Sequence, residues 1–225
     1  MPSLLNANKP SRIFLLAIPL TMVLISSSLT TPAQTVDPLV PAMESARRKR
    51  DPLQLESLKS QLEQRVNQDT NDSQALFKLA LVEGYLVDVA ELRKDKKAAN
   101  AALDKAIEAA QHSIKLNDKS ADAHSLLADL YRRKISLGNG MFAGPRFGPK
   151  AGEENKRAMA LDDKNPRVWA SSGRQYLMTP KTFGGDTSKA IDSFRQSERP
   201  RRHPVRTHWK SSPHKASTRS ICSGA

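Results

Sequence analysis

The chain reads as an all-α protein built from stacked helical hairpins, and three observations lead there. Apolar residues between Leu53 and Ser197 recur with the helical period and show no convincing strand-like alternation. Several of these stripes carry Ala or Gly, which lets two helices approach closely. The pattern also recurs along the chain, as it does in a solenoid whose units bury their apolar faces only by stacking.

In chain order, Leu55, Leu58, Leu62 and Val66 make one helical stripe. Leu76, Leu79, Ala80 and Val87 make the next, and Asn100 to Leu116 is Ala-rich, with Leu103, Ala106, Ile107, Ala110 and Ile114 on one face. Leu127-Ala128-x-x-Tyr131 parallels Trp169-x-x-Ser172-Gly173-x-x-Tyr176. A second helix with small residues follows each, carrying Ala151 and Ala158 in one case and Ala190, Phe194 and Ser197 in the other. An earlier copy is Leu76-x-x-Leu79-Ala80, followed by Ala106, Ala110 and Ser113.

These motifs resemble the tetratricopeptide repeat family, whose unit is a pair of antiparallel helices of about 34 residues. Spacing supports the resemblance: Ala106 to Ala128 and Ala151 to Gly173 are both 22 residues, the register the family implies from one repeat to the next. Within the hairpins the small positions are 26, 23 and 17 residues apart, against about 12 in the family unit. The expectation is a helical-hairpin solenoid of about three repeats over residues 53–197, with long insertions inside each repeat.

Two insertions read as Gly-rich loops, Leu137–Pro149 and Met178–Asp186. Gly138, Gly140, Gly144 and Gly148 leave the backbone free to take positive φ there, and Pro145, Pro149 and Pro180 fix it elsewhere. Phe142, Phe147 and Phe183 either pack back on the helix ends or, with Arg146, wall a ligand pocket. Phe183-Gly-Gly-Asp186 and Gly144-Pro-Arg-Phe-Gly148 resemble exported bacterial repeat proteins similar to the periplasmic T component of TRAP transporters. That resemblance implies docking to an exported solute-binding protein.

Charge separates the centre from the ends. The 225-residue chain carries +13, with +4 in residues 1–50, +6 in residues 198–225 and only +3 between. One Cys excludes a disulfide framework and a thiolate zinc site. Lys9 and Arg12 precede an apolar run from Ile13 to Ile25 and a Thr31-Pro-Ala33 cleavage pattern. Residues 1–33 are therefore expected to be a signal peptide exporting the chain to the periplasm or outside the cell, with an uncleaved anchor as the alternative. After cleavage no stable membrane span is expected. Residues 34–52 read as a linker broken by Pro38, Pro41 and Pro52. Its Arg47-Arg48-Lys49-Arg50 run reads as a solvated tether in preference to a nuclear signal or nucleic-acid patch. Residues 198–225 are expected to be a disordered basic tail. It is either an arm for anionic lipid or nucleic acid or, preferred here, out-of-frame sequence that truncates a longer array.

The resemblance implies that first helices line a concave, partner-binding side. The corresponding positions are Asp122, Ser125, Asp129, Arg132 and Arg133, then Arg167, Ala170, Arg174 and Leu177. Arg132, Arg167 and Arg174 either form a basic strip for carboxylates or pair with Asp122 and Asp129. The Lys and Asn set of chaperone-binding relatives is not reproduced. No catalytic, cofactor or metal residues are assigned: His112 and His124 lie in adjoining helices without a Ser or Cys partner in a nucleophile motif, and His-Glu-x-x-His is absent. The expectation is a non-enzymatic scaffold that binds a protein or peptide, with no specific nucleic acid and an undetermined oligomeric state. Two alternatives are kept: a transport accessory enclosing a small apolar ligand, and a basic tail that binds nucleic acid or anionic membrane.

Overall fold

The structure, a computed structural model, describes residues 37–138 and 140–198. The expected signal peptide and basic tail lie outside these residues. The described chain forms eight helices: α1 Leu39–Lys49, α2 Pro52–Gln68, α3 Ser73–Leu92, α4 Lys96–Leu116, α5 Ala121–Leu137, α6 Gly140–Leu161, α7 Pro166–Met178 and α8 Thr187–Glu198. A single 3-10 turn, Lys181–Phe183, precedes α8, and no strand occurs among the described residues.

Helix starts follow from local chemistry. Asp51, Asp72, Asp95, Ser120, Asn165 and Asp186 each accept hydrogen bonds from the first free backbone N–H groups of the helix that follows. Pro52 and Pro166 open α2 and α7, where a missing N–H costs nothing.

The helices pair as hairpins: α3 packs on α4, α5 on α6 and α7 on α8. Each second helix also meets the next first helix, α4 on α5 and α6 on α7. The small positions read from sequence sit in these seams: Ala80, Ala106 and Ala128 are fully buried, Ala151 and Ala190 nearly so. Gly173 is buried too, and an added Cβ there would lie 2.7–2.9 Å from the Phe194 ring. The fold is an all-α, tetratricopeptide-like helical-hairpin solenoid.

First helices also pack on one another, α3 on α5 and α5 on α7, while among the described residues no two of α4, α6 and α8 pack to that extent. In a curved stack the inner layer is the crowded one, so α3, α5 and α7 form the inner face.

Two stretches expected to be irregular are helical. Residues 39–49 form α1 rather than a linker because Pro38 sits before the first turn and Pro41 within it, where N–H groups have no helical acceptor. Met43 and Ala46 are buried and join Leu55, Leu58 and Leu62 of α2 and Val82 and Leu86 of α3 in one core. Most of the first insertion belongs to α6. Its Pro145 and Pro149 are four residues apart on an exposed side, where their rings project into solvent rather than into a helix seam. Gly144 and Gly148 are accordingly helical, and Gly184 is the one glycine with positive φ among the described residues.

The second insertion remains a loop. Gly184 takes φ +93°, and Gly185 lies so close to the Thr179 carbonyl that a Cβ would fall 1.7 Å from its oxygen. The Asp186 N–H donates to the Tyr176 carbonyl at 3.0 Å, closing the turn.

Candidate functional site

The residues expected on the concave face divide into buried and exposed groups. Ser125 and Arg132 are buried, so they brace α5 against α7 rather than line a surface. Arg132 donates to the Ser171 hydroxyl at 2.6 Å and to Asp129. The Ser171 hydroxyl lies 3.3 Å from both the Ser125 carbonyl and Asp129 Oδ1. Arg174 reaches the same carboxylate, its Nε 3.0 Å from Oδ1 and its second nitrogen on Oδ2. Asp122 accepts from the Asn165 side chain at 2.9 Å.

Two guanidiniums therefore converge on one carboxylate. Burial pulls the Arg132 guanidinium below its ordinary range; Asp129 opposes this and Arg174 adds to it. Arg132 Nη1 is buried without a hydrogen-bond partner, a cost of about 1–3 kcal/mol. The three-arginine strip is thus not formed. Arg132 and Arg174 are taken up by Asp129, and Arg167 stands exposed at the start of α7. Arg133 turns instead to α3, donating to the Gly84 carbonyl at 3.1 Å and pairing with Asp88 at 2.5 Å. Leu177 ends the row, 57% exposed.

Tyr85 of α3 is a groove residue that sequence reasoning missed. The Arg47 guanidinium lies over its ring at 5.8 Å. Burial raises the Tyr85 hydroxyl, Glu44 adds to this, and Arg47 and Arg167 oppose it. Beside Tyr85 a cavity of about 550 Å³ opens between α1 and α3, lined by Arg47, Arg48, Arg50, Leu55, Asp88, Val89, Glu91 and Leu92. The signal for it was the Arg47–Arg50 run, hidden because the prolines argued against α1.

The ring candidates do not wall an enclosed site. Phe142 and Phe183 are 74% and 82% exposed. Phe147 stacks on Tyr131 with centroids 5.8 Å apart, Arg146 lies over Phe147, and Lys150 caps both rings. Exposed Met141 and Phe142 begin α6, and exposed Leu177 and Met178 end α7, at the turn ends of the two hairpins.

His124 is buried, with Nδ1 2.5 Å from Glu154 and Nε2 3.0 Å from the Asp118 carbonyl. Glu153 and Glu154 lie well inside α6, which begins at Gly140. The His124–Glu154 contact pins α5 to α6. Among the described residues no group of three or more His, Cys, Asp or Glu side chains is gathered for a metal ion. No described helix is long and apolar enough to cross a membrane.

No family model matches the chain, and no curated protein is similar to it. A solved structure described as the crystal structure of MamA is similar at 19% identity, over 69% of this chain and 91% of that one, with a TM-score of 0.29. At that TM-score the likeness carries no weight, and the fold rests on the helix pairing and the small-residue seams.

Proposed function

We propose that the chain is a non-enzymatic scaffold that holds a protein or peptide segment along the inner face of α3, α5 and α7. The observation that carries this is that first helices of successive hairpins are linked by charged side chains, Arg133 of α5 to Asp88 of α3 and Arg174 of α7 to Asp129 of α5, with Arg167 exposed at the start of α7. Such a face reads an extended segment by charge and hydrogen bonding while the seams behind it stay rigid. Export belongs to the same proposal, resting on Lys9, Arg12, the apolar run and Thr31-Pro-Ala33. An exported solute-binding protein is the partner that the loop resemblance suggests.

The test is affinity capture from a cell-envelope extract with the full chain and with Arg167→Glu. Proteins held by the first and lost by the second support the scaffold. Equal capture by both removes the inner face from binding. The enclosed-ligand reading finds no support from Phe142 and Phe183, which face solvent.

A further inference from the structure

We infer that the cleft between α1 and α3 is a binding site for an acidic peptide segment that carries an apolar side chain, an inference that rests on the scaffold reading and names its partner's chemistry. The cavity of about 550 Å³ is of ligand-binding size. Its charges are unevenly satisfied. Arg47 is paired with Glu44 at 3.0 Å and Asp88 with Arg133 at 2.5 Å. Arg48 and Arg50 bring two more guanidiniums to the wall, with no carboxylate at ion-pair distance from either among the described residues. Planar guanidiniums take carboxylates bidentately, which suits aspartate or glutamate side chains.

The end of α1 sets the position of Arg50. Arg50 follows α1 in the left-handed region, at φ 53° and ψ 41°. Glycine is the usual residue there because it bears no strain. Lys94 takes a similar positive φ after α3, at 59°, so the conformation serves helix ends, and at Arg50 it also sets the side chain on the cleft wall. The cleft also offers apolar contact: Leu92 is 57% exposed beside Val89 and the Tyr85 ring. Asp88 and Glu91 in the wall oppose a continuous phosphate backbone and accept a peptide of mixed character.

The experiment is fluorescence anisotropy with the full-length chain and three labelled probes: an octapeptide of alternating glutamate and leucine, its glutamine–leucine counterpart, and an eight-nucleotide oligo-dT. The variants are Arg48→Gln, Arg50→Gly and Arg167→Gln. The glutamate peptide should bind saturably, and the glutamine peptide about tenfold more weakly, the scale of a lost charge-assisted pair. Arg48→Gln and Arg50→Gly should each weaken binding about fivefold or more on the same basis. Arg50→Gly should melt no lower than the parent, which separates lost binding from lost folding. Equal binding of both peptides, unchanged affinity in both cleft variants, tighter binding of the oligonucleotide, or no saturable binding overturns the inference. If only Arg167→Gln loses affinity, the cleft fails and the inner-face scaffold stands. If only the cleft variants do, the peptide sits in the cleft and the broader inner face fails.

Discussion

Replacing Gly173 by Ala puts a methyl carbon 2.7, 2.8 and 2.9 Å from three ring carbons of Phe194. Carbon atoms prefer about 3.5–4.0 Å, so the ring must retreat by roughly 1 Å or swing toward water. Phe194 is half-buried and sits on α8, which packs on α7. Retreat therefore loosens the α7–α8 hairpin. Overpacking of this kind costs about 1–3 kcal/mol. The helical preference of Ala over Gly returns about 1 kcal/mol. The net loss is about 0–2 kcal/mol, or up to roughly 8 °C in Tm for a domain of this size. Gly173→Leu should cost more. The assay is a far-UV circular dichroism melt of four chains: parent, Gly173→Ala, Phe194→Ala and the double variant. Without the ring, Gly173→Ala should stabilise by helical preference alone, so the sign of its effect reverses between the two backgrounds. Stabilisation in both backgrounds, with coupling below about 0.5 kcal/mol, would refute the seam.

Other substitutions follow from the same geometry. Gly144→Ala and Gly148→Ala meet nothing within 4 Å and lie inside α6, so each should stabilise by about 0.5–1 kcal/mol in the same melts. Gly185→Ala should destabilise more than Gly184→Ala. The first meets a fixed backbone oxygen at 1.7 Å, and the second strains φ in open space, worth about 1–2 kcal/mol. Glu83 gives a pH signature. Burial raises its carboxyl above the ordinary 4.5, while Lys59 and Lys105 pull it down. The folded chain thus binds this proton more tightly than the unfolded one. The resulting stability is full below 4.5 and is lost as pH rises through the elevated value. Glu83→Gln stays neutral, and Lys59 keeps Glu56 at 2.7 Å. It should melt above the parent at pH 7, with the gap closing in acid; a gap that is constant with pH would contradict this.

Much of the solenoid was legible because close helix approach demands particular residue sizes. Ala128 and Gly173 could be placed by spacing alone, and the seams bury both. Two helical stretches were hidden by proline and glycine. Pro41 lies in a first turn and Pro149 on an exposed side, so each is tolerated for a reason local composition does not reveal. The groove was harder to read, since neighbouring residues on a helix differ by about 100° in direction. Arg132 turns into the α5–α7 seam, while Arg133 crosses to Asp88. Tyr85 gains its meaning only when Arg47 arrives over its ring from α1.

The inner-face account is tested most directly by where a bound partner touches the chain. A photo-crosslinking side chain placed in the full-length protein at Ala170, between Arg167 and Arg174 on α7, is compared with one at exposed Lys156 on the outer helix α6. The account predicts that partner crosslinks form from position 170 and not from position 156. Crosslinks from position 156 alone would contradict it.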